Sequence, residues 1–340
     1  MACQKRKERC VVYIIMSYMI EYEQFIKIAT SYMQNRDRSL KPYGYLMYYD
    51  SRILQAIFQI FRHHKNICKI IYKDISHKPD EFFINRYEYE AKLFVADMKP
   101  RRDEYMAHMA EYEAIVASLA DGLSQQTLLS IINAALSMRY DWYEMVMIHG
   151  GTQYWPQDIF GLPNEENGET IVDVGGCDGD TYKDLSVKYG KDWFKRYYLY
   201  EPDETNVQKA QQGIIDDKVI IRNSAIGNVN STIKFNPLGG ASGRIEEVAG
   251  GVDVPIVRLD DDIQEKVSFI KMDIEGAERE AIAGAANHIR NDKPKLAICL
   301  YHLSDDIRVI ISLIRELNPD YRLYIRHYSP KHKETVLYAI

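Results

Sequence analysis

Residues 170–181 read TIVDVGGCDGDT, and this segment decides the fold of the chain. The apolar run Thr170–Val174 is typical of a buried strand. The glycines after it predict a tight turn into a helix over Thr181–Lys188. A strand, a glycine-rich turn and a helix in this order form the first unit of a doubly wound sheet, in which ligands bind at the carboxyl ends of the strands.

Strand-like and helical segments alternate through the rest of the chain. Further strands are predicted at Tyr197–Tyr200, Val219–Arg222, Phe269–Met272, Lys295–Leu300, Tyr321–Arg326 and Thr335–Ile340. No helix separates the last two strands, which predicts a hairpin and an antiparallel final strand. We therefore predict an α/β fold with a mostly parallel, Rossmann-type sheet and an antiparallel last strand, the layout of class I methyltransferases.

Smaller features refine this arrangement. Asp203 is placed to cap the helix after the second strand, and Ser304 to cap the helix that Asn318 and Pro319 terminate. Two strand-like runs, Thr232–Phe235 and Val254–Arg258, flank a glycine-rich loop. They predict a β insertion between the third and fourth strands of the sheet.

The first half of the chain has a different pattern. Apolar residues recur at three- and four-residue steps over Val12–Ile28, Ile53–Ile71 and Glu111–Met147, with Asp121-Gly122 as a break. A length of 340 residues suits two domains. We predict a helical domain over residues 1–150, which caps the site, recognises the acceptor or forms a homodimer, and a cofactor-binding domain over residues 151–340.

The composition argues against nucleic-acid-binding, secreted and membrane-spanning proteins. The formal net charge of −6 argues against general affinity for nucleic acid, which depends on Lys and Arg at the phosphates. The five cysteines form no C-x-x-C pair, which predicts a reduced, cytoplasmic protein. Acidic residues directly after Val11–Ile20 argue against a signal peptide, and no apolar run is long enough to span a membrane.

The glycine turn predicts the kind of cofactor. Its spacing, Asp-x-Gly-x-x-x-Gly, departs from the G-x-G-x-x-G of dinucleotide sites, because Cys177 and Asp180 replace glycines. Its carboxylates would repel a pyrophosphate and suit the cationic sulfonium and ammonium groups of S-adenosylmethionine. The predicted contacts in this segment are Asp173, Gly175, Gly176, Cys177, Asp178, Gly179 and Thr181. The alternative is a glycine-rich turn without a ligand.

Two further strand ends carry candidate cofactor contacts. Glu201, followed by Pro202, ends the second strand about twenty residues after the turn, where a carboxylate can accept hydrogen bonds from both ribose hydroxyls. Ser224 and Ala225 follow the third strand, where the adenine edge should lie, although an ordinary turn would explain them equally well.

The fourth strand continues into Asp273, Glu275 and Glu278. Strand alternation puts Lys271 and Asp273 on one face, and a structural ion pair best explains a lysine inside a central strand. Asp273 ends the strand at the ligand-binding edge and is a candidate for both cofactor binding and catalysis. Glu275 and Glu278 would favour the positive end of the next helix, and that is the better explanation of Glu278.

The chain resembles the FkbM family of S-adenosylmethionine-dependent methyltransferases. The resemblance rests on five segments: VDVG with DGDT at 172–181, YEP at 200–202, VPIVRLD at 254–260, FIKMDIEGAE at 269–278 and PKLAICLYH at 294–302. The endings RHYS at 326–329 and ETVLY at 334–338 also resemble bacterial members. In the commoner family form a small residue and Asn often occupy the places of Gly176 and Asp178.

The resemblance implies methyl transfer, usually to an oxygen of a sugar, glycan, lipid or secondary metabolite. A hydroxyl acceptor must lose its proton as it attacks. The candidate bases are Asp273, His302 and, less favoured, His327. We predict that Asp273 orients cofactor or acceptor and that His302 is the base. Asp260–Asp262 is interpreted as a solvated turn, and no essential metal is expected.

Two other classes of function stay open at this stage. One is a nucleotide-sugar or NAD-dependent α/β enzyme, which the missing G-x-G-x-x-G disfavours. The other is a non-catalytic protein that binds partners and keeps the cofactor only structurally. The carboxylates of Asp173, Glu201 and Asp273 argue against the second class.

Overall fold

A computed structural model describes residues 96–150, 153–163, 168–235 and 251–340. The helices predicted over Val12–Ile28 and Ile53–Ile71 lie outside these residues. The described chain divides into two compact units. The first contains residues 96–113, Gln126–Met147 and Ser329–His332, and the second contains Ala114–Gln125, residues 148–328 and Lys333–Ile340. The predicted domain boundary at residue 150 stays a prediction.

The N-terminal part of the described chain is helical. Residues 96–107 form a helix, followed by α1 (Met109–Ser118), α2 (Gly122–Ser137) and α3 (Asp141–Glu144). The break predicted at Asp121-Gly122 is confirmed, and it has a local cause. The carboxylate of Asp121 accepts a hydrogen bond from the backbone N–H of Ser124 at 2.7 Å, which caps the start of α2. Among the described residues, no helix combines the length and the apolar character needed to cross a membrane.

A seven-stranded sheet forms the second unit. Its strands are β1 (Glu169–Val174), β2 (Phe194–Tyr200), β3 (Val219–Arg222), β7 (Phe269–Met272), β8 (Lys295–Cys299), β9 (Leu323–His327) and β10 (Thr335–Ala339). The spatial order is β3-β2-β1-β7-β8-β10-β9. All neighbours pair in parallel except β10, which is antiparallel to β8 and β9. The α/β class, the parallel sheet and the antiparallel last strand are confirmed.

Helices precede β1 and connect the later strands of this sheet. They are α4 (Gln157–Phe160), α5 (Asp180–Tyr189), α6 (Glu204–Gly213), α7 (Leu259–Asp262), α8 (Glu278–Gly284), a π-helix (His288–Asp292) and α9 (Asp306–Leu317). The cap predicted at Asp203 is confirmed, because its carboxylate accepts from the backbone N–H of Thr205. The cap predicted at Ser304 is wrong. The residue before α9 is Asp305, and the carboxylate of Asp306 accepts from the backbone N–H of Leu303 instead.

The insertion before β7 forms a second, three-stranded sheet. Its strands are β4 (Ala225–Ile226), β5 (Ser231–Phe235) and β6 (Val252–Val257), in the order β4-β6-β5. β5 and β6 pair antiparallel, so the two predicted strand-like runs are confirmed as neighbours. β4 begins directly after Ser224, and this places the insertion beside the carboxyl end of β3.

Apolar packing fixes the main sheet. All six residues of β1 and all four of β7 are buried, as expected for central strands covered on both faces. Trp155 packs against Phe269, Phe160 and Trp193 with ring centroids 5.0–5.5 Å apart. This aromatic cluster packs against β7 and holds the segment before β1 in place, so that Tyr154 has a fixed position for the site described below.

Candidate active site

A cavity opens at the carboxyl edge of the sheet, between the ends of β1, β2 and β7. Eight of the predicted site residues line it: Gly175, Cys177, Thr181, Glu201, Pro202, Ser224, Ala225 and Asp273. Tyr154, Asn206 and Ile274 also line this cavity, and no pattern in the sequence indicated them. We call it the donor cavity. Its position is the one expected for a ligand of a doubly wound sheet.

Glu201 is held in the donor cavity by backbone groups of two different loops. One carboxylate oxygen accepts from the backbone N–H of Cys177 at 3.0 Å, and the other accepts from that of Asp203 at 2.9 Å. Burial raises the pKa of Glu201, and the two N–H groups oppose that rise. The side chain of Asn206 adds a further hydrogen bond to this carboxylate and also opposes the rise. Since a carboxylate has about four lone pairs, it can still accept a hydrogen bond from a hydroxyl group in the cavity.

The glycine turn packs closely against its neighbours. Gly175 has a φ of +78°, and a Cβ built there would lie 2.0 Å from the backbone oxygen of Asp273. A Cβ on Gly176 would lie 2.3 Å from the side chain of Leu199. Glycine is needed at both positions because the turn lies directly against β2 and the end of β7.

Asp173 and Lys271 form a buried ion pair beside the donor cavity. Their side chains are 0% and 2% exposed, and Nζ lies 2.9 Å from the carboxylate. The hydroxyl of Tyr197 donates to the second carboxylate oxygen at 2.7 Å, and Nζ also donates to the backbone oxygen of Gly175. The structural ion pair predicted for Lys271 is confirmed. Asp173 does not line the donor cavity, so its position differs from that of the other predicted contacts.

Three other predicted contacts also lie outside the wall of the donor cavity. They are Gly176, Asp178 and Gly179. Asp178 faces Lys183, with 3.2 Å between carboxylate and Nζ, and Gly179 begins the turn into α5 with a φ of +84°. These residues shape the loop that carries Cys177 into the cavity wall.

Asp273 is held by three side chains. Tyr154 donates to one carboxylate oxygen at 2.8 Å and Tyr301 donates to the other at 2.9 Å. Nε2 of His302 lies 3.3 Å from the oxygen that Tyr301 contacts. Burial alone would raise the pKa of Asp273, but His302 and the charge of Lys271 hold it well below its usual range. Asp273 is therefore a fixed anion and a weak base.

His302 lies between two carboxylates. Its side chain is 4% exposed, with Nδ1 2.9 Å from Glu278 and Nε2 facing Asp273. Burial lowers the pKa of the imidazole, but the two carboxylates outweigh it and raise the pKa to about 10. An imidazolium has no lone pair to accept a proton. The expected role of His302 as the base therefore conflicts with its surroundings.

Glu278 and His327 also have defined contacts. A carboxylate oxygen of Glu278 accepts from the backbone N–H of Ile274 at 2.9 Å, so this side chain stabilises the turn after β7 as well as His302. His327 is buried in β9, where Nδ1 lies 2.8 Å from the hydroxyl of Thr335. His327 borders none of the cavities described here.

The acidic run Asp260–Asp262 is a turn of helix, α7, and the interpretation as a solvated turn is wrong for Asp260. The side chain of Asp260 is 1% exposed and accepts from the backbone N–H groups of Asn287 and His288. Within the described residues, potential metal ligands cluster at Asp273, Glu278 and His302. The imidazole of this cluster lies between the two carboxylates, so ion pairs among the three side chains explain why they lie together.

Two more cavities adjoin the donor cavity. The first, with a volume of about 430 Å³, shares Tyr154, Asp180, Thr181, Asp273 and Glu275 with it and also contains Asp184, Tyr301, Lys333 and Glu334. We call it the flanking cavity. The second shares Ile226, Ile274 and Glu275 with the donor cavity and continues over Val229 and Leu303. We call it the apolar groove.

The sheet order, the antiparallel last strand and the cavity at the carboxyl edge define a class I methyltransferase fold. The profile of the methyltransferase FkbM domain matches residues 173–328, which include β1 from Asp173 and continue through β9. This part of the chain is therefore similar to the FkbM methyltransferases.

One of the solved structures compared with this chain supports the same fold. The methyltransferase FkbM from Methylobacillus flagellatus KT is 27% identical with a TM-score of 0.60, and the match covers 71% of this chain and 61% of that one. This chain thus spans less than two thirds of that relative. A SAM-dependent methyltransferase from Aquifex aeolicus is 14% identical (TM-score 0.32), covering 59% of this chain and 97% of that one. Precorrin-6y C5,15-methyltransferase from Geobacter metallireducens GS-15 is 12% identical (TM-score 0.32), covering 51% and 80%. No curated protein sequence matches the chain.

Proposed function

We propose that this protein transfers the methyl group of S-adenosylmethionine to a hydroxyl of a sugar, glycan, lipid or secondary metabolite. The observation that carries the proposal is the position of Glu201 in the donor cavity. Its carboxylate follows β2 and is fixed by two backbone N–H groups and the side chain of Asn206, and it can still accept a hydrogen bond from a ribose hydroxyl. A carboxylate in this position, in a chain similar to the FkbM methyltransferases, supports a nucleoside site.

The rest of the donor cavity suits the same ligand. Ser224 and Ala225 border it where the adenine edge would lie, at the end of β3. Asp180 and Asp273 border it on the opposite side, where carboxylates complement a sulfonium and an ammonium group. When bound, S-adenosylmethionine supplies an electrophilic methyl group. The protein's own residues hold the donor and the acceptor in line, which accounts for much of the acceleration in such displacements.

The structure changes the role we assign to several predicted site residues. Asp173 supports the site through Lys271, and Gly176, Asp178 and Gly179 shape the loop of Cys177. We also propose a different role for His302. As an imidazolium it fixes the charge and the orientation of Asp273. A group other than His302 must then accept the proton of the acceptor hydroxyl.

The flanking cavity suits a hydroxylated acceptor. It adjoins the donor cavity at Asp273, and a volume of about 430 Å³ lies within the range of small-ligand sites. Its polar wall includes the hydroxyl of Tyr301 and more carboxylates than cations, since Asp184 and Glu334 join Asp180, Asp273 and Glu275 there and Lys333 is its cation. Carboxylates accept hydrogen bonds from hydroxyl groups, so this wall favours a polyhydroxylated molecule over one that carries phosphate.

Mass spectrometry tests the proposal. The protein is incubated with S-adenosylmethionine that carries a trideuterated methyl group and a panel of glycosides, oligosaccharides, glycerolipids and phenolic metabolites. We expect at least one hydroxylated compound to gain a single labelled methyl group, with less product from Glu201→Ala. The matched control is Glu204→Ala, an exposed glutamate on α6. Transfer to nitrogen alone, or no labelled product together with no binding of S-adenosylhomocysteine, contradicts the proposal.

A further inference from the structure

Glu275 lies where the three cavities of this site meet. Among the residues described here, it alone borders the donor cavity, the flanking cavity and the apolar groove. Its side chain is 27% exposed, so the carboxylate reaches the open space where the three cavities meet. A donor in the first cavity and an acceptor beside it would both lie next to this carboxylate.

The backbone presents Glu275 in an unusual conformation. Its φ is +55°, in the left-handed region that non-glycine residues seldom adopt, and Gly276 follows at +105°. The turn is held by Glu278, whose carboxylate accepts the backbone N–H of Ile274. Such conformations persist where the surrounding structure imposes them, and they cluster at functional sites. Here the turn directs the side chain of Glu275 to the junction of the cavities.

The other groups at the junction are poorly suited to accept a proton. Asp273 already accepts hydrogen bonds from Tyr154 and Tyr301 and faces an imidazolium. The hydroxyls of both tyrosines donate to Asp273, and burial is the main reason that their pKa values are raised. By contrast, the carboxylate of Glu275 accepts no hydrogen bond from any residue in the described part of the chain. Nε2 of His302 lies 3.8 Å from this carboxylate.

We propose, on the basis of the proposed methyl transfer, that Glu275 is the general base that takes the proton of the acceptor hydroxyl. The acceptor oxygen forms a bond to the methyl carbon while the carbon–sulfur bond breaks and its electron pair goes to sulfur. The hydroxyl proton passes to the carboxylate of Glu275, which later releases it to water. The products are the methyl ether, S-adenosylhomocysteine and one proton.

The charges around Glu275 support this role. Burial raises its pKa above the ordinary glutamate value, and the negative charges of Asp273 and Glu278 act in the same direction. His302 and Lys333 oppose the rise. A carboxylate with a raised pKa is a stronger base than Asp273, whose pKa is lowered.

Kinetics of Glu275→Gln and Glu275→Asp test the proposal, with Glu316→Gln, an exposed glutamate on α9, as the matched control. The acceptor is the panel compound that the wild-type protein methylates. We expect Glu275→Gln to lower kcat by roughly two to four orders of magnitude, with unchanged affinity for S-adenosylhomocysteine in calorimetry. Glu275→Asp should keep part of the rate. The wild-type kcat should rise with pH to a plateau, and this acid limb should be absent in Glu275→Gln.

A second readout does not depend on turnover. In protein labelled with ¹³C at the glutamate carboxyls and saturated with S-adenosylhomocysteine, the resonance lost in Glu275→Gln should titrate above the ordinary glutamate range. Wild-type kcat in Glu275→Gln, or titration of that resonance at or below the ordinary range, overturns the role of Glu275 alone. Absence of S-adenosylhomocysteine binding in the wild-type protein overturns the proposed function as well.

Discussion

Lys271 binds Asp173 across the two central strands of the sheet. The two residues are register neighbours on β7 and β1, and Nζ lies 2.9 Å from the carboxylate. Nζ also donates to the backbone oxygen of Gly175 at 2.7 Å. Burial alone would lower the pKa of Lys271, but the charges of Asp173 and Asp273 raise it above its ordinary value. One buried cation therefore joins both central strands to the glycine turn that shapes the donor cavity.

Removal of that cation should destabilise the protein. We expect Lys271→Met to lower the free energy of unfolding by about 3–5 kcal/mol, because Asp173 would stay buried without its partner. Lys183→Met is the matched control, since the pair of Lys183 with Asp178 is largely exposed and should contribute about 0–1 kcal/mol. Urea unfolding measures both values. Equal losses in the two variants would mean that the buried pair has no special role.

Gly175 should tolerate no side chain. A Cβ there would lie 2.0 Å from the backbone oxygen of Asp273, so Gly175→Ala must displace the end of β7. Gly190 offers a matched control, because it has nearly the same φ, +79°, and nothing within 4 Å of its Cβ position. Gly190→Ala should lose only about 1–2 kcal/mol from the left-handed backbone. Gly175→Ala should lose more unfolding free energy than Gly190→Ala and should also lose binding of S-adenosylhomocysteine. Urea unfolding and calorimetry measure the two effects. Equal results for the two variants would contradict the close approach of Gly175 to Asp273.

The sequence predicted the sheet well because strands in a parallel sheet are short apolar runs with clear ends. It also predicted that Lys271 needs a partner, but strand alternation could not say that the partner is Asp173. The position of Tyr154 could not be predicted, since it belongs to an irregular segment and meets Asp273 across 119 residues of chain. The sequence correctly predicted that His302 lies at the end of a strand. The charge of its imidazole depends on the distances from its nitrogens to the carboxylates of Glu278 and Asp273, which only the folded chain determines.

The charge of His302 should make stability depend on pH. A folded-state pKa raised from 6.5 to about 10 means that the ion pairs stabilise the protein fully below about pH 6.5. That contribution is lost as the pH rises from 6.5 towards about 10. The difference in free energy of unfolding between the wild-type protein and His302→Gln should therefore shrink over this interval. A difference that stays constant or grows with pH would mean that the imidazole is neutral in the folded protein.

Glu201 should contribute to the affinity for S-adenosylhomocysteine. We expect Glu201→Ala to weaken binding of S-adenosylhomocysteine by roughly 1–3 kcal/mol, because the ribose hydroxyls would lose their acceptor. Calorimetric titration measures the change, and Glu204→Ala should bind like the wild-type protein. Unchanged affinity in a folded Glu201→Ala protein would remove Glu201 from the binding site.

The most direct test of the central claim is a calorimetric titration of the wild-type protein with S-adenosylhomocysteine and, separately, with NAD. The acidic glycine turn and the carboxylate of Glu201 suit the first ligand, and the turn lacks the dinucleotide spacing that the second requires. We expect saturable binding of S-adenosylhomocysteine at one site per chain and no heat of binding with NAD. Binding of NAD without binding of S-adenosylhomocysteine would contradict the account.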